Sequence, residues 1–167
     1  MAQSVMGSWF GAIVGIAVVG ALALLAAGQA GALRGQRPAD LGLRDGHLKA
    51  PSATRNSVSS QAAMHPGPAA DYARTEPLAF QGSAADAMAR LRQIVAAMPG
   101  AHVVESRPDY LYVEFTTRWL KFVDDAEFYL PPGSQRIELR SASRLGREDF
   151  GVNRARIEAI RSRFDAR

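Results

Sequence analysis

With 167 residues, 47% of them apolar and 22% charged, the chain has the composition of an ordinary folded protein, which excludes a wholly disordered chain and separate cofactor and substrate lobes. Its 20 Lys+Arg and 16 Asp+Glu give a formal net charge of +4, and every one of them lies beyond residue 30. A sequence pI near 10.0 invites a nucleic-acid partner, but only two of the cations are lysines and acidic residues are interleaved throughout, so no basic stripe forms and nucleic acid is not expected.

Residues 5–28 are an apolar run in which Ser8 is the only clearly polar side chain, and as a helix at ~1.5 Å per residue the run reaches ~36 Å. That crosses a hydrocarbon core of ~30 Å with some tilt. Gly28-Gln29-Ala30 has the small-x-small form of a cleavage site, but the run exceeds the ~7–15-residue core of a signal peptide and no Lys or Arg precedes it. A transmembrane anchor over residues 1–30 is therefore expected, with the lipid bilayer as partner. The chain has no cysteine to carry a lipid. Gly7, Gly11 and Gly15 recur every fourth residue, share one helix face and would let a second copy approach as a homodimer. Arg34, Arg37 and Arg44 favour a cytoplasmic domain, yet the stretch that follows is far longer than the ~60 residues over which the charge rule operates, so the side stays open.

Residues 31–75 lose periodicity and fill with Gly, Pro, Ala, Ser and Arg, as a flexible tether or wrapping segment does. An apolar island around Val58 is expected to dock on the domain surface. His47, His65 and His102 stand apart with no cysteine near them, so neither a metal nor any other cofactor is expected.

Residues 76–167 carry the folded domain. A short strand is expected near residues 77–80, ahead of the domain's first helix. Residues 83–98 read as a helix capped by Ser83 and ended by Pro99-Gly100, with Leu91, Val95 and Met98 on its apolar stripe. Strands follow at 102–106 and 110–116, the second alternating Leu111, Val113 and Phe115 against Tyr110, Tyr112 and Glu114. A second alternating run spans 119–130 and turns through Pro131-Pro132-Gly133-Ser134 into 136–142. A four-residue loop pairs Leu130 with Gln135, placing Phe128 opposite Ile137, Asp124 opposite Ser141 and Asp125 against Arg140. The last helix, 151–164, aligns Asn153, Ile157, Ile160 and Phe164. The expected fold is a two-layer α+β domain: an antiparallel meander of about four strands with two helices on one face, behind an N-terminal transmembrane helix. Gly-x-Gly-x-x-Gly, the phosphate loop and Gly-x-Ser-x-Gly are all absent.

Two constellations can carry chemistry. Asp124, Asp125 and Glu127 lie within four residues; alternation sends Asp124 inward, where it needs a partner such as Ser141, Ser143 or an arginine of the last helix, giving either a polar clasp or a ligand site. Their spread over two faces disfavours a metal site unless a bulge regroups them. Arg140, Ser141, Ser143 and Arg144 then lead to a helix bearing Asn153, Arg154 and Arg156, an arrangement suited to an anionic ligand. The competing arrangement pairs Arg154 with Glu158 one turn on. The leading expectation is a non-enzymatic binding or scaffolding module of the cell envelope; the alternative is a hydrolase-like enzyme acting on an anionic or envelope substrate through Asp124, Asp125, Glu127 and Arg144.

The blocks Asn56-Ser57-Val58-Ser59-Ser60-Gln61, Phe122-Val123-Asp124-Asp125-Ala126-Glu127-Phe128 and Arg140-Ser141-Ala142-Ser143-Arg144-Leu145-Gly146, continuing through Asp149-Phe150-Gly151-Val152-Asn153-Arg154-Ala155-Arg156, resemble the bacterial family catalogued as domain of unknown function 1499 over roughly residues 51–164. The resemblance implies a family with no assigned reaction, often carried behind a membrane anchor or export signal, and so a place at the bacterial inner membrane. It also implies two cysteines flanking the first block, where this chain has Ser52 and Ser57. Paired loss of a family disulfide tilts the expected side of the domain toward the extracytoplasmic one.

Overall fold

The computed structural model describes residues 2–166, leaving aside the side chains of residues 2–8 and 10. Helix α1 (Ala2–Gln29) holds the apolar run. Its Gly11–Gln29 portion has a mean hydropathy of 2.3 and is only 6% buried, so the helix is long and apolar enough to cross a membrane, as a signal sequence also is. Gly11 and Gly15 face open space, whereas Gly7, the third residue of the expected dimer seam, lies outside the described side chains.

The rest is α+β. Six antiparallel strands, β1 (Ser57–Ser59), β2 (Leu78–Ala79), β3 (Ala101–Ser106), β4 (Tyr110–Thr116), β5 (Val123–Tyr129) and β6 (Arg136–Ser143), form an open sheet in the order β1-β6-β5-β4-β3. β2 lies end to end with β1 along the same edge of β6. A 3-10 turn at Ala62–Met64 and the short helix α2 (Ala70–Ala73) connect β1 to β2.

Two longer helices, α3 (Ala84–Ala96) and α4 (Val152–Asp165), cover one face. α3 starts where the Ser83 hydroxyl accepts from the Asp86 amide at 3.0 Å. After it, Gly100 is held at φ 75 with its α-carbon against Thr116, where a Cβ would come within 2.2 Å of the Thr116 carbonyl oxygen, so only glycine makes this turn into β3. Leu91 and Val95 of α3 and Ile157, Ile160 and Phe164 of α4 bury themselves on Leu111, Val113, Phe115, Phe128, Ile137 and Leu139 of the sheet. Each such side chain stabilises the fold by about 1.5–3 kcal/mol through removal from water.

The meander and its two helices stand where the sequence places them, and β2 fills the short strand expected near residues 77–80. Three details differ. Val58 is not docked on the surface; it is fully buried in the main core as the centre of β1, a strand too short to give a period-two signal. The alternating run from 119 divides: residues 118–120 form a turn and 121–122 are irregular, with the Thr117 amide donating to the Phe122 carbonyl at 2.9 Å and Lys121 in the left-handed region, and β5 begins only at Val123. The β5–β6 register is shifted by two residues from the expected one, pairing Phe128 with Leu139, Ala126 with Ser141, Asp124 with Ser143 and Glu127 with Arg140. An even shift keeps every side chain on its face, so apolar matching cannot separate the two registers. The turn decides: Ser134 bonds back to the Pro131 carbonyl and, through its hydroxyl, accepts from the Arg136 amide, holding residues 131–136 out of the β5 ladder.

The opposite face of the sheet is covered by irregular chain. Residues 37–50 cross it and bury Leu48 against Tyr110, Tyr112 and Tyr129, with Leu41, Leu43 and Val104 alongside. β5, buried on both faces, therefore carries three carboxylates out of water.

Candidate functional site

Strand alternation distributes the acid-rich segment over both faces of the sheet. Asp124 points toward the helices, while Asp125 and Glu127 point toward residues 37–50; all three are buried. Buried carboxylates need hydrogen bonds and cations, and each face supplies its own.

On the wrapped face, Arg144 reaches back from the end of β6 and holds both oxygens of Asp125, with Nη2 at 2.7 Å and Nε at 2.9 Å. The same Nη2 lies 2.6 Å from Glu114 on β4, and Tyr112 donates its hydroxyl to Asp125 at 2.5 Å. Arg37 closes the cluster from the wrapping segment, donating to Glu114 at 2.6 and 3.0 Å while its guanidinium lies over the Tyr112 ring. Burial alone would raise the Glu114 carboxyl, but the hydrogen bonds from Arg37 and Arg144 outweigh it and bring the pKa down to about 2. The Arg144 guanidinium is driven up by its bonds to Asp125, and the Tyr112 hydroxyl is raised, first by burial and then by Asp125.

One step along the strands, Glu127 accepts from the Tyr110 hydroxyl at 2.8 Å and from the Gly42 amide at 2.7 Å. Arg140 faces it at 3.5 Å and donates through Nε to the Ala50 carbonyl. Burial lowers the Arg140 pKa, with Glu127 opposing it. The expected partner of Asp125 was Arg140; the two-residue register shift gives Arg140 to Glu127, and Arg144 takes Asp125.

On the helix face, Asp124 pairs with Arg156 of α4 at 2.5 Å, and that guanidinium lies over the Phe115 ring. Arg156 also donates to Asn153 Oδ1, which accepts from the Ser141 hydroxyl at 2.6 Å. The fully buried Asn153 amide donates to Ser143 Oγ at 3.0 Å, Asp149 Oδ2 at 2.8 Å and the Asn56 carbonyl. Asn56 in turn holds the Gly146 carbonyl at 2.7 Å, fixing the β6–α4 turn.

The N-terminus of α4, expected to offer its amides to an anion, is occupied by the chain itself: Asp149 accepts from the Gly151 and Asn153 amides at 3.0 and 2.9 Å and from the Tyr72 hydroxyl. Burial works against the Asp149 carboxylate, yet these bonds carry its pKa below the usual range. Arg154 stands apart. It donates to the Tyr72 and Arg74 carbonyls, and Glu158, its expected partner, pairs with Arg161 at 3.3 Å.

The nine expected residues thus fall into three places: Asp125, Glu127, Arg140 and Arg144 on the wrapped face, Asp124, Ser141, Ser143 and Asn153 on the helix face, and Arg154 on the α2 side. No group of three metal-ligating side chains converges among the described residues. Sequence reasoning passed over Glu114, Arg37, Tyr72, Asn56 and Asp149 as members of these clusters. Tyr110, Tyr112 and Glu114 on one parity were the available signal, since two amphipathic rings beside a carboxylate suit a covered face better than an open one.

A cavity of about 290 Å³ opens beside Asp124, Ser143 and Asp149, walled on its outer side by Phe150 and Val152. Just past the wrapping segment, the Ser52 amide donates to Ser57 Oγ at 2.8 Å, bringing together the two positions at which the family resemblance implies cysteines.

No curated protein and no solved structure matches the chain. A family model described as Protein of unknown function (DUF1499) matches residues 47–164, which take in β1 through β6, nearly all of α4 and the helix-face cluster, while Arg37 and Gly42 of the wrapped face lie before it. The chain belongs to that family.

Proposed function

We propose that this protein is a membrane-anchored, non-catalytic binding or scaffolding module of the cell envelope, built to hold a rigid domain on α1. One observation carries the reading. Asp124, Asp125 and Glu127 are each buried against an arginine of the same domain, Arg156, Arg144 and Arg140. A carboxylate bonded to a buried arginine of its own domain is a structural element, already engaged rather than free to meet a substrate. The apolar character of α1 supports the anchor, and the open space at Gly11 and Gly15 supports self-association through the span.

The hydrolase-like alternative, acting on an anionic or envelope substrate, draws on the 290 Å³ cavity bordered by Asp124, Ser143 and Asp149. Thermal melts and a cellular assay of Asp125→Asn and Arg144→Ala separate the two. The module reading expects both variants to lose stability and to lose cellular function only in proportion. A variant that melts like the parent but behaves like a deletion overturns it and assigns the hairpin to chemistry.

A further inference from the structure

Outside α1, the exposed large apolar side chains among the described residues are Met64, Trp119, Leu145, Phe150 and Val152. All but Met64 stand at one end of the sheet, on the loop after β4, on the loop after β6 and at the first residue of α4. The two loops are contiguous: Thr117 and Val152 line both the 290 Å³ cavity and a neighbouring one of about 670 Å³ that Arg118 and Lys121 also wall. Phe150 is 92% exposed and sits at φ 51, a backbone region that bulky residues avoid. So large an exposed apolar ring is unfavourable in water, which marks the loop as a surface for an apolar partner.

The apolar helix meets the domain at this same end. Gly28 packs so closely on Leu120 that a Cβ would lie 2.6 Å from its carbonyl oxygen, and Gln29 donates to the Trp119 carbonyl at 2.8 Å. Gly35, just beyond, abuts the Leu145 side chain. Trp9 lies roughly 30 Å from Gln29 along the helix at about 1.5 Å per residue, close to the ~30 Å of a hydrocarbon core. Trp9 and Trp119 are the two tryptophans of the chain, and this spacing sets one at each boundary of a bilayer crossed by α1, where indole rings concentrate. Charge agrees: Arg118, over the Trp119 ring, and Lys121 wall the larger cavity, while the carboxylates that line the smaller one, Asp124, Glu148 and Asp149, are bonded to Arg156, Arg55 and Tyr72.

We propose that this end of the domain, with Trp119, Leu145, Phe150 and Val152 among Arg118 and Lys121, docks into the headgroup–acyl boundary of an anionic lipid leaflet and seats the domain on the membrane from which α1 emerges. The inference rests on the anchor reading above and adds the surface that meets the lipid.

The two tryptophans test it separately. Full-length W9F and W119F proteins are reconstituted in vesicles of phosphatidylglycerol and phosphatidylcholine brominated at acyl carbons 6 and 7, and their fluorescence is compared with that in unbrominated vesicles. Docking expects Trp119, seen in W9F, to be quenched to an extent comparable with Trp9, seen in W119F, and expects R118E/K121E in the W9F background to lose that quenching. Trp9 quenched with Trp119 unquenched overturns the docking surface while keeping the anchor, and would leave a protein partner or second copy as the occupant. Neither quenched overturns the anchor reading and docking with it. Quenching of Trp119 that survives R118E/K121E overturns the anionic assignment.

Discussion

Glu127 on β5 and Arg140 on β6 face each other at 3.5 Å with side chains 0% and 4% exposed, so an ion pair stands where most sheets place aliphatic packing. The pair also binds the wrapping segment at two points, Glu127 through the Gly42 amide and Arg140 through the Ala50 carbonyl. The buried charge therefore fastens residues 37–50 to the sheet as well as β5 to β6.

Removing one member of this pair strands the other in a medium that solvates it poorly. Glu127→Leu or Arg140→Met alone is expected to destabilise the domain by about 3–5 kcal/mol, whereas the double variant recovers most of that loss. Denaturant unfolding of the full-length protein in detergent measures all three. A double variant as unstable as the sum of the singles would refute the pair as the source of the effect.

Acid should loosen the second cluster. The Glu114 pKa is about 2 in the folded protein and 4.5 ordinarily. A folded value below the unfolded one gives stability that is complete above about 4.5 and disappears as pH falls toward about 2. The melting temperature of the parent is thus expected to fall through that window, with Arg37 and Arg144 losing their shared acceptor, while Glu114→Gln has a flatter profile. Other carboxylates titrate nearby, Asp149 among them, so the difference between parent and variant is the quantity to follow; a constant difference from pH 6 to pH 2 would contradict the assignment.

Ser52 and Ser57 meet through a hydrogen bond of 2.8 Å. Replacing both with cysteine is expected to form a disulfide under oxidising conditions and to add about 2 kcal/mol by constraining the unfolded chain, reversibly with a reductant. A pair that stays reduced, or oxidises without raising the melt, would show that the serines sit outside disulfide geometry.

At Gly28 the expected sign runs against helix propensity. Alanine favours an isolated helix by about 1 kcal/mol over glycine, yet at this position its Cβ would collide with the Leu120 carbonyl. Gly28→Val is expected to free the end of α1 from the 117–121 loop, seen as faster tryptic cleavage after Arg118 and Lys121 with the domain melt preserved. Unchanged cleavage would mean that the helix end and the loop do not hold each other.

The sequence alone determined whatever depends on period and composition. The uncharged run to residue 30 specifies an apolar helix, Ser83 and Pro99-Gly100 delimit α3, and alternation in 110–116 and in the run 119–130, whose strand begins only at Val123, assigns side chains to faces, because these signals are local and their periods belong to the backbone. Residues 56–61 stood out there only as an apolar island at Val58 and by family resemblance, and not as a strand, since three residues of β1 carry no period. Tertiary structure decided the rest. The β5–β6 register differs from its alternative by two residues, a shift invisible to a period of two, and with it went the partners of Asp125 and Arg140. Arg37, Asn56 and Tyr72 join their clusters from 77 or more residues away in sequence, and no local pattern records which distant chain will cover a face. The meeting of Gly28 with Leu120 is likewise a property of packing, and it is what places the exposed apolar end of the domain beside the helix that would enter the bilayer.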